Sequence, residues 1–214
     1  MMTSALSAVE RDTTVRRGYW LSLITLLWNS LEGVIAVVAG INAGSVALVG
    51  FGVDSGIELG ASAVAFWRLG ADAAPARRAR VERTSHRAIG FLFVALALYI
   101  GYDAGSALLH REAPSASPLG IVLAAASLIV MPHLARAKRR VGAALGSRAL
   151  IAESAQSSLC SYLSAILLGG LLLNAIFGWW WADPVAALMM VPIITREGIG
   201  GLRGQPTCAD DCCS

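Results

Sequence analysis

Hydrophobic residues are grouped into six long stretches along the chain, and short polar turns separate them. The turns are marked by Gly44-Ser45, by the segment from Pro114 to Pro118 and by Asp183-Pro184. Each stretch holds roughly 20 residues, enough to cross about 30 Å of hydrocarbon as an α-helix. The pattern predicts an all-α polytopic membrane protein with six transmembrane helices, near residues 18–40, 44–67, 88–109, 118–135, 149–174 and 179–195.

This pattern divides the chain into three parts. Residues 1–17 are a short N-terminal arm, residues 18–195 form the six-helix domain, and residues 196–214 are a cysteine-containing tail. The arm carries both signs of charge and no apolar core, which predicts that the chain has no cleavable signal.

Composition excludes several classes of protein. Hydrophobic residues are 56% of the chain and charged residues only 14%, with a mean hydropathy of +0.64, whereas soluble domains are about one quarter charged. The net charge of +3 does not favour a nucleic-acid partner, and the four cysteines show no paired pattern typical of a disulfide framework. We therefore expect the chain to lie in a lipid bilayer.

The basic residues predict the orientation. Of the 17 Lys and Arg residues, all but Arg111 fall on one side of a six-helix arrangement, with Lys138 in the connection between the fourth and fifth helices. Basic residues concentrate on the cytoplasmic side of a membrane. We therefore expect both termini in the cytoplasm, in a protein of the plasma (inner) membrane.

Carboxylates inside the predicted helices are the main candidates for function. They are Glu32, Asp54, Glu58, Asp103 and Glu153, and no Lys or Arg accompanies them within the predicted spans. A charge buried in a bilayer is costly, so such residues usually face a cavity or a partner. Each acid alone is equally well explained as a protonated or hydrogen-bonded structural group. Together they favour a path for metal cations or protons.

The second predicted helix carries two of these acids one turn apart. Asp54 and Glu58 share one helical face, while Gly52, Gly56 and Gly60 form a packing surface on the other side. Two neighbouring carboxylates repel each other unless a cation or a shared proton lies between them. The acid pair is thus a candidate half of a cation site.

The fifth predicted helix offers a matching face. Glu153, Gln156 and Cys160 follow at i, i+3 and i+7, and helix rise places the last two at about the same depth as the acid pair of the second helix. The alternative is structural: Cys160 is a small buried side chain and Gln156 an interhelical hydrogen-bonding group.

These motifs together resemble the membrane domain of the cation diffusion facilitator (cation efflux) transporters. The resemblance covers residues 18–203, and the sequence around these motifs is most similar to a subgroup related to transmembrane protein 163. It rests on Gly44-Ser45 before Asp54 and Glu58, on Glu153, Gln156 and Cys160 at the fifth-helix positions, on Glu32 in the first helix, and on Asp183-Pro184 before the sixth.

The resemblance implies a transporter of divalent cations, zinc above all, with six helices and both ends in the cytoplasm. Two features depart from the family. Gln156 and Cys160 stand where the family has His and Asp, and an amide oxygen is a poorer zinc ligand than a thiolate. The tail is also too short for the family's cytoplasmic domain, so a homodimer would have to form through the transmembrane helices.

The resulting hypothesis is metal/proton exchange at a site in the middle of the membrane. Asp54, Glu58 and Cys160 form its core, Gln156 or water adds a fourth ligand, and Glu153 lies between the site and the cytoplasm. Metal binding displaces protons from such ligands. No cofactor is bound permanently; the transported cation and protons are the ligands.

Two groups lie outside this core. Glu32 and Asp103 are candidates to line an outward mouth of the pathway. Cys208, Cys212 and Cys213 in the tail are candidates to capture a thiophilic ion, although a disordered end with idle thiols is the favoured explanation.

Other classes of function stay open. The departures at the fifth helix also fit a membrane metal-binding or accessory protein that kept the fold without transporting, and a proton-only channel is a further alternative. An enzyme is not expected, because no Ser/His pair or zinc-protease motif occurs in the predicted helices.

Overall fold

The computed structural model describes residues 8–70, 75–145 and 147–203, which are helical apart from short turns. Within these ranges the helices are α1 (Ala8–Ala43), α2 (Val46–Gly70), α3 (Pro75–His110), α4 (Pro118–Leu145), α5 (Arg148–Phe177) and α6 (Ala182–Leu202). No strand occurs in them. The predicted all-α fold is therefore confirmed for the described residues.

Five helical segments of the described chain are long and apolar enough to cross a membrane. They are Asp12–Ala43, Arg87–His110, Pro118–Leu145, Glu153–Phe177 and Ala182–Leu202. The helix α2, which carries Asp54 and Glu58, is outside this set. A sixth crossing and the cytoplasmic position of both termini stay predictions.

Several helices are longer than the apolar stretches that predicted them. α4 continues through Leu145 and α6 through Leu202, past the predicted ends at residues 135 and 195. An apolar run marks where a chain can lie in hydrocarbon, whereas a helix also continues through Ala, Arg and Lys, which favour helical backbone. As a result Lys138 and Glu197, expected in a connection and in the tail, are helical residues.

Serine and glycine residues set the helix ends. The hydroxyl groups of Ser45, Ser117 and Ser147 each accept a hydrogen bond from the backbone N–H three residues later, at 3.1, 3.1 and 3.5 Å. These contacts cap the starts of α2, α4 and α5. At the other end of α5, Gly178 adopts a φ of 65° and its N–H bonds to the carbonyl of Asn174, which is a typical glycine helix end.

The helix α1 is apolar outside and polar inside. Its outer face exposes Leu27, Leu31, Val34, Val38 and Ile41. Its inner face buries Ser22, Thr25, Asn29 and Glu32, each at 1 or 2% exposure. A helix in water places these two faces the other way round. The arrangement is that of a protein whose outer surface lies in lipid.

The position of α2 makes its side chains central to the bundle. α4 packs on α5, α3 packs on α6, and α1 packs on α2 and α4. α2 contacts α1, α3, α5 and α6. Polar groups on the buried side of α2 therefore have several helices within reach.

The crossing of α3 and α6 depends on a glycine contact, and this leads to a stability prediction. A Cβ atom added at Gly90 would lie 2.5 Å from the backbone nitrogen of Leu202 and 2.7 Å from the carbonyl oxygen of Gly198. Backbone atoms cannot yield as a flexible side chain can. We expect Gly90→Ala to lower the free energy of unfolding by about 1–3 kcal/mol, measured by denaturant titration in detergent micelles.

The matched control is Gly101→Ala on the same helix, where no atom lies within 4 Å of the added Cβ. It should be neutral or slightly stabilising, because alanine favours the helix over glycine. Equal stability of the two variants would contradict the close contact between α3 and α6.

Candidate functional site

Asp54 and Glu58 lie on the buried side of α2. Their side chains are 2% and 4% exposed. The spacing of four residues places both on one helical face, and that face is turned into the bundle. Neither side chain points out toward the lipid-facing surface.

Both acids line a small cavity between α2, α3, α5 and α6. Gln156 of α5 and Glu197 of α6 are the other polar residues of its wall. The apolar part of the wall is formed by Phe93, Leu159, Leu163, Ile193 and Ile194. The cavity has a volume of about 10 Å³, close to the space that one water-sized sphere occupies. Its size suits a single ion or water molecule held by oxygen atoms.

The two acids differ in their hydrogen bonds. Oδ2 of Asp54 is buried and has no hydrogen-bond partner among the described residues. Oε2 of Glu58 accepts a hydrogen bond from Nδ2 of Asn29 at 3.1 Å. A buried polar atom without a partner is costly. The free oxygen of Asp54, on a side chain that lines the cavity, is therefore available to a ligand.

Cys160 contacts a second polar cluster, formed by residues of α1, α2 and α4. Its Sγ lies 3.8 Å from Oε2 of Glu32 and 4.0 Å from Oγ of Ser127. Oγ of Ser55 donates to the same Glu32 oxygen at 3.1 Å. Cys160 is not part of the cavity wall, and Glu32, expected at an outward mouth, is 1% exposed and lies beside this thiol.

Glu153 has a basic partner, so the expectation that no Lys or Arg accompanies the buried acids is wrong for this residue. Nζ of Lys138 lies 3.2 Å from Oε2 of Glu153, and the two side chains are 1% and 7% exposed. Oγ of Ser22 donates to the same oxygen at 2.9 Å, and the Lys138 ammonium donates to Oγ of Ser157 at 3.5 Å. The pair links α1, α4 and α5.

The periodicity of α4 contains the signal that identifies Lys138 as an interior residue. Ser127, Met131, Leu134, Lys138 and Gly142 are all buried and follow at helical spacing. A prediction based on the length of the apolar stretch ends this helix at residue 135 and therefore leaves out Lys138. The same stripe read at a period of 3.6 residues includes the lysine.

Asp183 is a structural group at the start of α6. Its Oδ1 accepts a hydrogen bond from Oγ of Ser45 at 2.5 Å, and its Oδ2 accepts one from the backbone N–H of Ala47 at 3.4 Å. A carboxylate is favourable near a helix N-terminus, here that of α2. Gly44-Ser45 and Asp183-Pro184, far apart in sequence, therefore meet at one end of the bundle.

The remaining predicted residues lie apart from the cavity. Asp103 is half-buried on α3 and interacts with Tyr99 one turn earlier. Cys208, Cys212 and Cys213 fall outside the described residues. Within the described ranges, no three His, Cys, Asp or Glu side chains are grouped closely enough to enclose one metal ion. Any ion in the cavity would be held by fewer acids at a time, together with Gln156 or water.

Besides Lys138, sequence reasoning missed Ser22, Asn29 and Glu197. Ser22 and Asn29 belong to the buried polar stripe of α1, which follows helical spacing within an apolar stretch and was readable from the sequence. Glu197 had no such signal, because it lies after the apolar run that predicted the sixth helix.

The fold and the buried acids define a class of protein: a polytopic helical membrane protein with an acidic interior. The sequence matches the cation efflux transmembrane domain over residues 22–202. The chain belongs to the cation efflux family, and the resemblance inferred from its motifs is confirmed at the level of the family.

A relative supports the same family. An uncharacterized transporter of Synechocystis sp. is 35% identical over 152 residues, which cover 68% of this chain and 49% of the relative. The matched part of the chain thus spans about half the length of that protein. The nearer resemblance to the subgroup of transmembrane protein 163 stays a prediction.

Proposed function

We propose that the protein transports divalent metal cations of the zinc type, exporting them by exchange for protons at a site between α2 and α5. The observation that carries this proposal is the cavity that Asp54 and Glu58 share with Gln156. Buried carboxylates in membrane proteins usually mark the pathway of an ion or a proton, and the neighbouring amide oxygen is a further possible cation ligand. Membership of the cation efflux family supports the same class of substrate.

Charge balance supports coupling to protons. Two protonated carboxyl groups are neutral, and two carboxylates that hold one divalent cation are neutral as well. Exchange of one ion for two protons therefore leaves the net charge of the buried pair unchanged, which avoids the large cost of an uncompensated charge in hydrocarbon. Metal binding to groups that must be deprotonated releases protons in any case.

The preferred ion depends on the position of Cys160. The cavity wall offers oxygen donors, which suit several divalent ions, whereas a thiolate favours zinc and cadmium. In the described arrangement the thiol faces Glu32 and is not part of the cavity wall, so Cys160 would contact an ion in the cavity only after a change in position. Selectivity for zinc over manganese in the flux assay described below would support such a change.

The basic helix ends support the cytoplasmic position of the termini. Arg16, Arg17, Arg139 and Arg140 are exposed at the ends of α1 and α4. Gly18 packs against Val141 and Leu150, so these ends and the start of α5 meet on one side of the bundle. This agrees with the enrichment of basic residues on the cytoplasmic face.

We propose that the protein lies in the plasma (inner) membrane and that two copies form a homodimer through their transmembrane helices.

A second candidate function is metal binding without transport. The placement of Cys160 outside the cavity favours it, because Gln156 is then the only polar residue that α5 contributes to the cavity wall. Such a protein would be an accessory subunit that kept the fold.

One assay separates these functions. The purified protein is reconstituted into vesicles that contain a pH-sensitive dye, and Zn²⁺, Cd²⁺, Mn²⁺, Co²⁺ or Fe²⁺ is added outside. We expect uptake of at least one ion with a simultaneous rise of the internal pH, absent from protein-free vesicles. Metal binding without uptake would select the accessory function, and proton movement that needs no metal would select a proton channel.

A further inference from the structure

Glu197 is the polar residue of the cavity that the proposed α2–α5 site does not use. It lies on α6, in the part of that helix beyond the predicted sixth span. Its side chain is half-buried and forms part of the cavity wall with Asp54 and Glu58. It is close enough to Asp54 for the two negative charges to repel each other. A third helix therefore adds a third carboxylate to the cavity.

Exposure changes from one side of the cavity to the other. Glu197 and Gln156 are half-buried, whereas Asp54 and Glu58 are almost completely buried. The half-buried pair forms the rim and the buried pair forms the floor. A hydrated cation that enters from the rim meets a partly exposed carboxylate first and the unpartnered Oδ2 of Asp54 afterwards.

Such a sequence of ligands suits passage better than tight capture. Because no three acidic side chains of the described chain are grouped around one point, an ion in this cavity would meet Glu197 and the α2 pair one after the other. Each step exchanges part of the hydration shell for protein oxygens. Conduction needs several sites that are strong enough to admit an ion and weak enough to release it.

We propose that Glu197 is a third acidic ligand of the cation path, contributed by α6, which receives a divalent cation at the rim and passes it to Asp54. This inference rests on the proposed transport function. It adds α6 to the helices that contact the ion and gives the rim of the cavity a defined role.

The test compares Glu197→Gln with the wild-type protein in zinc uptake by proteoliposomes. Glutamine keeps the size of the side chain and removes its charge. We expect the half-saturating Zn²⁺ concentration to rise about tenfold, the scale on which a supporting partner changes metal affinity, while the maximal rate stays within about twofold. An unchanged half-saturating concentration would overturn the proposal.

Controls make the outcome specific to the cavity. Glu112→Gln removes an exposed carboxylate in the turn between α3 and α4 and should leave both parameters unchanged. Glu197→Asp keeps the charge and should recover most of the lost affinity. Glu197→Ala replaces the glutamine variant if that variant fails to fold, with the same expected rise of the half-saturating concentration. Unchanged zinc uptake in the glutamine and alanine variants contradicts a ligand role.

Equilibrium titration separates failure of this inference from failure of the proposed function. Zn²⁺ binding to the purified protein is measured by calorimetry with the wild type and with Glu197→Gln. If the wild type transports no metal, the proposed function fails, and a weaker binding constant of the variant still supports Glu197 as a ligand. Equal binding constants would refute that role whether or not transport occurs.

Discussion

Asp54→Asn should abolish zinc uptake by proteoliposomes while leaving the folded protein intact. Asparagine has nearly the same shape, and Oδ2 of Asp54 has no hydrogen-bond partner to lose among the described residues. The substitution removes a negative charge from a buried site. Removing one partner of a buried charge pair costs about 3–5 kcal/mol, which corresponds to a loss of more than about 100-fold in binding.

A matched control for this prediction is Asp12→Asn. Asp12 is an exposed carboxylate on α1, and its neutralisation should leave uptake unchanged. Thermal unfolding of both variants in detergent would check that the loss of uptake does not come from misfolding. Undiminished uptake by Asp54→Asn would remove this residue from the site and, with it, the main support for transport between α2 and α5.

Lys138→Met should strongly destabilise the bundle. The ammonium group lies 3.2 Å from Oε2 of Glu153, and both side chains are almost completely buried. Methionine fills a similar volume but leaves the carboxylate of Glu153 without its counter-charge. The expected loss is about 3–5 kcal/mol in the free energy of unfolding, measured by denaturant titration in detergent.

The double variant Lys138→Met/Glu153→Leu is the matched control. Replacing a whole buried ion pair with apolar residues of similar size is often neutral, so the double variant should recover most of the lost stability. A single variant as stable as the wild type would show that the pair contributes little. Zinc uptake by the double variant further tests Glu153: sustained uptake contradicts a role of Glu153 as an entry ligand or proton acceptor between the site and the cytoplasm.

The fifth helix shows the limit of a spacing argument. Gln156 and Cys160 are four residues apart, which corresponds to a difference of about 40° around a helix. The sequence predicted that both face the acids of α2. In the structure Gln156 lines the cavity, whereas the Cys160 thiol faces Glu32 and Ser127. Forty degrees is enough for two side chains to meet different neighbouring helices.

Lys138 and Glu197 show the limit of a hydropathy argument. Both lie beyond the apolar runs, so they were counted with the connection and the tail. The helices continue past those runs, and continued helical phase turns Lys138 toward Glu153 and Glu197 toward the cavity. Both charged residues were therefore missed by a criterion based on the length of the apolar stretches.

The sequence alone determined the all-α class, the approximate positions of the helices, the shared face of Asp54 and Glu58, and the family. These properties depend on local patterns, namely apolar length, the 3.6-residue period and short motifs. Only the tertiary structure decided which acids have partners: Glu153 with Lys138, Glu58 with Asn29 and Glu32 with Ser55, whereas Oδ2 of Asp54 has none among the described residues. Such pairings depend on how each helix is rotated against its neighbours, and that rotation results from packing between segments far apart in the chain.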